Sequence, residues 1–376
     1  MSDEAEYKKA LNILFKAGGF QFPFSETIHE ILKITIKDEN LDLIMAFENQ
    51  ISQTMEQLKE SSGLTEEEIL KKADALAKTG VIINQPNRSG VVVYQLFPFH
   101  RQFEYIFMQN LEKTEENYKI ARLFNKLNEE HSDEIQSQYD GYSAALNRMP
   151  PMDRTVPILE NLETGEEINV IVNEELEVPT EKILPTQQIR ELIEKYDDIA
   201  VGNCYCRQHQ EFLDNPCKMI ELTPSCITLG KSARHTSKHG FSKLVSKEEA
   251  LKILKKCEDA GLVHKAYHKY GKSSAEEVAI CNCCNCCCMT ARDCLIFPVV
   301  NETNYLASID EDLCTGCGTC VDLCYNKAIE LNDNDKAERI EEFCAGCGVC
   351  AYHCPENAIA LVEGPRIVRM IPPRKN

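Results

Sequence analysis

Apolar residues recur at helical spacing through the first third of the chain. Ser25 is placed to cap a helix that turns Ile28, Ile31 and Leu32 to one face, and Leu41 to Leu58 carries a second apolar stripe. Residues 1–60 therefore read as helices. Thr65 and Glu68 form a capping-box pattern ahead of Ile69, Leu70, Ala73 and Leu76, and Gly80 closes that helix. Val81-Ile82-Ile83 and Val91-Val92-Val93-Tyr94, separated by a turn-rich stretch, read as a hairpin. Helices followed by a hairpin predict a winged-helix-like domain. Phe97, Phe99, Phe103, Tyr105 and Phe107 then crowd one segment and are expected in a core or a helix–helix contact.

Met149-Pro150-Pro151-Met152 marks a boundary. Beyond it, Thr155 to Glu177 reads as strand, turn and strand. Pro185-Thr186 opens a helix carrying Ile189, Leu192, Ile193 and Tyr196, and the strand Ile199-Ala200-Val201 delivers the chain to Cys204. Ser246 and Glu249 cap a further helix that ends at Gly261. Cys257 falls in phase with Ala250 and Leu254 on it and reads as a core residue.

Cysteine changes the picture most, with 20 in 376 residues. Cys314-x2-Cys317-x2-Cys320-x3-Cys324 is repeated as Cys344-x2-Cys347-x2-Cys350-x3-Cys354-Pro355, and each run leads into an Ala-Ile strand. In this spacing three thiolates of a Gly-containing loop reach one cubane and the fourth ligand comes from the other repeat. One cluster is thus assigned to Cys314, Cys317, Cys320 and Cys354, and the other to Cys344, Cys347, Cys350 and Cys324. The second cysteine system comprises Cys204, Cys206, Cys217, Cys226, Cys281, Cys283, Cys284, Cys286, Cys287 and Cys288. Neighbouring side chains of an extended segment point to opposite sides, so Cys281–Cys288 can serve two metal centres. Two further iron–sulfur centres, one cluster with spare thiols, or a zinc site all suit ten soft ligands. Arg207 and Arg292 supply positive charge beside these motifs. His209, His235, His239, His264 and His268 could serve as ligands or proton donors, but a polar surface position is the commoner case and none is assigned a role.

The doubled run resembles the bacterial two-cluster ferredoxins over about 60 residues, with Tyr325 standing where that family usually has proline. As a whole the chain resembles a family of anaerobic multi-cluster iron–sulfur proteins. The residues that carry this are Cys204-Tyr205-Cys206-Arg207, Cys217, Cys226, Ile280–Cys287 and the C-terminal repeat. The resemblance implies electron transfer and names no reaction.

The expected architecture is α+β in three parts. A winged-helix-like helical domain spans 1–148, a cysteine-rich α/β metal domain 149–300, and a two-[4Fe-4S] ferredoxin domain 301–376. The acidic start carries no signal-peptide pattern and no stretch is apolar enough to span a membrane, which with the cysteine usage predicts a reducing cytoplasm. The net charge of −19 disfavours nucleic acid and predicts a redox partner with a basic docking face. The candidate recognition helix, Thr65–Thr79, has more acids than lysines, so docking or homodimerisation suits it better than DNA. There is no GxGxxG unit and no Walker A loop. The expected function is low-potential electron transfer through several [4Fe-4S] clusters, as a carrier or electron-transfer subunit rather than a stand-alone enzyme. The alternatives are a reductase with a substrate-binding cluster in the central domain, or a redox-responsive regulator.

Overall fold

The computed structural model describes residues 3–18, 22–87, 89–109, 111–151, 153–171, 188–268, 276–289, 299–370 and 374. The start of the helix expected at Pro185, the end of the strand expected to reach Glu177, Arg292 and Cys294 lie outside the described residues.

The N-terminal part begins with helices α1 (Asp3–Phe15), α2 (Glu26–Thr35) and α3 (Leu41–Met45). Ser25 caps α2 as expected, accepting from the Ile28 N–H. The stripe from Leu41 to Leu58 is not one helix. It is broken by strand β1 (Ser52–Thr54), because Thr54 takes an extended conformation to cap helix α4 (Met55–Ser62) through a reciprocal box with Gln57. Helix α5 (Glu66–Lys78) carries the Thr65–Glu68 capping box. It leads to the hairpin β2 (Ile82–Pro86) and β3 (Val92–Leu96), and the three strands form an antiparallel sheet in the order β1-β3-β2. Helices α6 (Gln102–Met108), α7 (Glu115–Ser137) and α8 (Tyr139–Arg148) follow. Tyr7, Phe47, Phe99 and Phe107 lie fully buried in one core shared by these elements. Each such side chain contributes about 2 kcal/mol by leaving water.

The remaining chain builds a sheet of nine strands among the described residues. Its elements are β4 (Asp153–Val156), β5 (Val170–Ile171), α9 (Ile189–Glu194), β6 (Ile199–Asn203), α10 (Tyr205–Glu211), β7 (Pro224–Leu229), α11 (Gly230–Lys238), β8 (Ser242–Leu244), α12 (Lys247–Asp259), β9 (Val263–His268), β10 (Glu277–Cys283) and β11 (Val299–Ile309). The C-terminal module adds α13 (Thr319–Leu323), β12 (Ile329–Leu331), β13 (Ala337–Arg339), α14 (Val349–Tyr352) and β14 (Ile359–Met370). The strand order is β5-β14-β11-β4-β9-β10-β7-β6-β8. The sheet runs straight through the boundary expected at residue 300, since β11 pairs with β14 on one side and with β4 on the other. The two cysteine systems therefore share one framework.

The aromatic segment packs where expected, in a helix–helix contact. Phe103 of α6 meets Tyr205 and His209 of α10, with ring centroids 5.8 and 4.8 Å apart. Gln208 donates to the carbonyls of Phe107 and Gln109, so the N-terminal part grips the helix that follows Cys204.

Candidate metal centres

The C-terminal repeat forms two cavities. Cys314, Cys317, Cys320 and Cys354 line one of about 350 Å³, and Cys324, Cys344, Cys347 and Cys350 line another of about 390 Å³. Each therefore draws three thiols from one repeat and one from the other. Backbone amides aim at the sulfurs in matching pairs. Ala328 N–H donates to Cys324 Sγ at 3.0 Å and Ala358 N–H to Cys354 Sγ at 3.3 Å. Ala337 and Ala307 donate to Cys314 and Cys344 at 3.4 and 3.5 Å. Such N–H···S bonds favour a bound, negatively charged thiolate. Gly316 and Gly346 lie at φ +71° and +57°, and a Cβ on them would collide with the carbonyls of Asp335 and Tyr305. Cys317 is exposed, its Sγ 3.4 Å from Thr319 Oγ1, and this hydrogen bond holds its thiol below the ordinary range. Burial pushes the Cys347 thiol up to about 12.

The ten central cysteines divide into six and four. β7 lies between β6 and β10, and the register pairing Ile227 with Ile280 sets Cys226 beside Cys281. Cys281 and Cys283 share a face of β10 two residues apart. Cys204 follows β6, and Cys206 lies in the first turn of α10. The result is a cavity of about 450 Å³ lined by Cys204, Cys206, Cys226, Cys281, Cys283 and Cys288, and also by Cys284, whose thiol belongs to the second group. Their thiols are neighbours in series: Cys206 lies between Cys204 and Cys288, Cys283 between Cys288 and Cys281, and Cys281 next to Cys226.

After Cys283 the chain leaves the sheet in a tight turn, which is why the cysteine segment does not alternate to its end. The turn brings Cys284, Cys286 and Cys287 to Cys217, and these four Sγ atoms lie within 4.8 Å of one another, while Cys284 also borders the central cavity. Cys217 is 3.6 Å from Cys286, and Cys286 is 3.7 Å from Cys287. Cys257 packs against Cys284 and Cys287 as a core residue, and burial raises its thiol to about 12.

Arg207 is buried to 1% exposure in the strand–helix corner after Cys206. It donates to Ser225 Oγ and, at 3.3 Å, to the carbonyl of Asn282, while its Nε and Nη1 have no hydrogen-bond partner among the described residues. Burial alone would depress the guanidinium pKa, yet the Cys204, Cys284 and Cys257 thiols outweigh it and hold the pKa above its ordinary value. A buried guanidinium facing thiols fits a negatively charged metal–thiolate centre. Cys204 accepts from Cys206 against the cost of burial, and with Arg207 nearby its pKa is drawn down to about 5.

Asn282 locks the same strand from behind. Its amide donates to the Ser225 carbonyl at 2.6 Å, and its Oδ1 lies 2.5 Å from His264 Nδ1. His264 in turn lies 3.2 Å from Glu258. The expectation of surface histidines is thus corrected. His209, His235, His239, His264 and His268 are all buried, on α10, α11, the turn that ends α11, and β9 for the last two. None lines any of the three cysteine cavities.

A second cavity of about 500 Å³ adjoins the six-cysteine one and shares Tyr205, Cys226, Tyr267 and Cys281 with it. Arg101 and Glu104, paired at 2.8 Å, join Tyr105, Thr228, Ser232 and Thr236 in its polar lining. Sequence reasoning did not reach this group, whose members are up to 180 residues apart and carry no motif.

The C-terminal sequence is similar to known iron–sulfur domains. Residues 307–361 match the 4Fe-4S dicluster domain. The C-terminal module is thus an iron–sulfur domain of ferredoxin type. A "Probable ferredoxin" from Methanosarcina thermophila is 59% identical over 29 residues, covering 8% of this chain and 50% of that protein. The match spans about half the length of that relative. No solved structure matches the chain. Among the described residues no helix is long and apolar enough to cross a membrane.

Proposed function

We propose that the protein carries single electrons between partner proteins through three [4Fe-4S] clusters. Two would be held by the quartets Cys314, Cys317, Cys320, Cys354 and Cys324, Cys344, Cys347, Cys350, and the third by thiols of the six-cysteine cavity. When bound, the clusters supply one-electron chemistry at low potential. The single observation that carries this reading is the succession of three thiol-lined spaces of similar size along one framework. The exposed Cys317 marks the outer end. Cys347 of the second quartet packs in one apolar cluster with Cys281, Cys283 and Cys288 of the central cavity, which makes the second quartet the inner neighbour.

The chain's own residues would orient, insulate and tune. Amide N–H groups and Arg207 offset thiolate charge, and Ile158, Val349 and Tyr325 keep water from the gap between modules. Asp310, Glu311, Asp312 and Glu356 are exposed around the outer cavity and suit a basic redox partner in the cytoplasm. The three-stranded sheet with α4 and α5 supports a winged-helix reading of the N-terminus. Its acidic α5 favours protein docking or homodimerisation over DNA. Iron and acid-labile sulfide on anaerobically prepared protein test the proposal. About 12 of each per chain are expected from three cubanes, and about eight of each would remove the central cluster.

One observation favours a second reading, a reductase. Six thiols besides Cys284 line the central cavity where a cubane needs four, and a polar cavity adjoins it. A small ligand such as cyanide that alters the paramagnetic resonance of one centre alone would support a substrate site there. Indifference of every centre would leave the carrier.

A further inference from the structure

The four thiols of Cys217, Cys284, Cys286 and Cys287 are too close together for a cluster and too far apart for disulfides. Their Sγ atoms all lie within 4.8 Å of one another, with 3.6 Å between Cys217 and Cys286 and 3.7 Å between Cys286 and Cys287. A disulfide would require about 2.05 Å. Cubane thiolates each sit on a different iron, outside the cube, and spread to roughly 6 Å. Four sulfurs about 2.3 Å from one ion, at the corners of a tetrahedron, stand about 3.8 Å apart. The observed spacing is that of a single ion.

The rest of the molecule supplies the comparison. Among the described residues no other set of three or more metal-ligating side chains gathers this closely. The ferredoxin-type quartets surround open cavities instead, and so do the six central thiols.

The backbone of the site is built for thiolates. Cys284 and Cys287 stand three apart across a tight turn, and the Cys287 N–H donates to Cys284 Sγ at 3.3 Å. Cys284 and Cys287 are buried and the other two half-buried, so the set is closed, with no place for a substrate.

We infer that Cys217, Cys284, Cys286 and Cys287 bind one tetrahedral Zn²⁺ ion as a structural clasp. A closed set of four thiolates is a structural zinc arrangement, and such a site holds zinc more tightly than ferrous iron. The ion ties the loop before β7 to the turn after β10, two strands adjacent in the sheet. That turn also presents Asn285, whose amide donates to the Asp322 carbonyl of the ferredoxin-type module at 2.7 Å. Cys283 and Cys288 flank the same turn and line the six-cysteine cavity. The clasp thus fixes how the central cavity meets the C-terminal module. It does not depend on electron carriage, because zinc has no redox chemistry here.

The test is zinc and iron analysis of the full chain purified anaerobically, together with growth in cobalt. The expected result is about one zinc per chain. Cobalt-grown protein should show the intense sulfur-to-cobalt charge transfer and visible ligand-field bands of a tetrahedral tetrathiolate. Cys217→Ser should lose most of the zinc while the eight-cysteine C-terminal module keeps about eight irons, whereas Cys257→Ser should keep the zinc. Should Cys217→Ser fail to fold, the cobalt spectrum of the unaltered chain decides alone. A zinc-free protein with about 16 irons, a lone iron at this site, or cobalt bands lacking tetrathiolate character would each overturn the inference. None of them would touch the irons of the C-terminal module.

Discussion

The hydroxyl of Tyr325 lies 3.1 Å from the Sγ of Cys288. Tyr325 directly follows the last cysteine of the first ferredoxin-type run, where ferredoxins usually carry proline, and Cys288 lines the central cavity. The ring also lies 5.0 Å beneath the buried ammonium of Lys265, which pairs with Asp153. The departure at this position therefore joins the two cysteine systems. A hydrogen bond to a ligating sulfur stabilises the reduced, more negative centre. Tyr325→Phe should keep its full iron content and lower the reduction potential of the central centre alone, measured by redox titration with paramagnetic resonance. Equal shifts of all centres would argue against a local contact.

Arg207 is the second lever. Replacing it with Met removes a buried positive charge that no carboxylate pairs among the described salt bridges. The expected result is a lower potential or incomplete loading of the central centre, with both C-terminal centres unchanged. Because the guanidinium stays charged throughout the accessible pH range, its effect should not vary with pH.

Gly346→Ala should damage the inner C-terminal centre specifically. The new methyl would meet the Tyr305 carbonyl in a backbone conformation that L-residues rarely adopt. A loss of about 2–3 kcal/mol in unfolding free energy and of about four irons per chain is expected. Denaturant unfolding and iron analysis check it. Gly318→Ala, whose Cβ meets nothing within 4 Å, should cost less, about 1 kcal/mol from φ strain.

Reduction by a basic partner should slow several-fold as ionic strength rises from about 0.05 to 0.5 M, as screening shortens the reach of the acidic rim. Stopped-flow kinetics measure it, and Glu311→Gln with Asp312→Asn should flatten the dependence. A salt-independent rate would remove electrostatic docking.

Local signals were legible in the sequence. The caps at Ser25, Thr65 and Ser246 lie where side-chain chemistry places them, and the two quartets assigned from the doubled cysteine spacing each line one C-terminal cavity. The split of the central ten was not legible, because it turns on where β10 ends. Alternation holds through Cys281 and Cys283, and the turn at Cys284 then reverses it. The shared sheet was equally hidden, since β11 pairs with β4 across some 150 residues. Nor does any spacing reveal that Tyr325 faces Cys288, or that Arg101, Tyr205 and Tyr267 meet beside Cys281. Such contacts depend on long-range strand order, which local periodicity does not encode.

Stepwise anaerobic reduction of the iron-replete chain, with electrons counted against paramagnetic spins, tests the central claim most directly. Three cubanes in contact predict about three one-electron equivalents per chain and spectra broadened by neighbouring spins. Uptake of about two, with the central cavity contributing none, would contradict it.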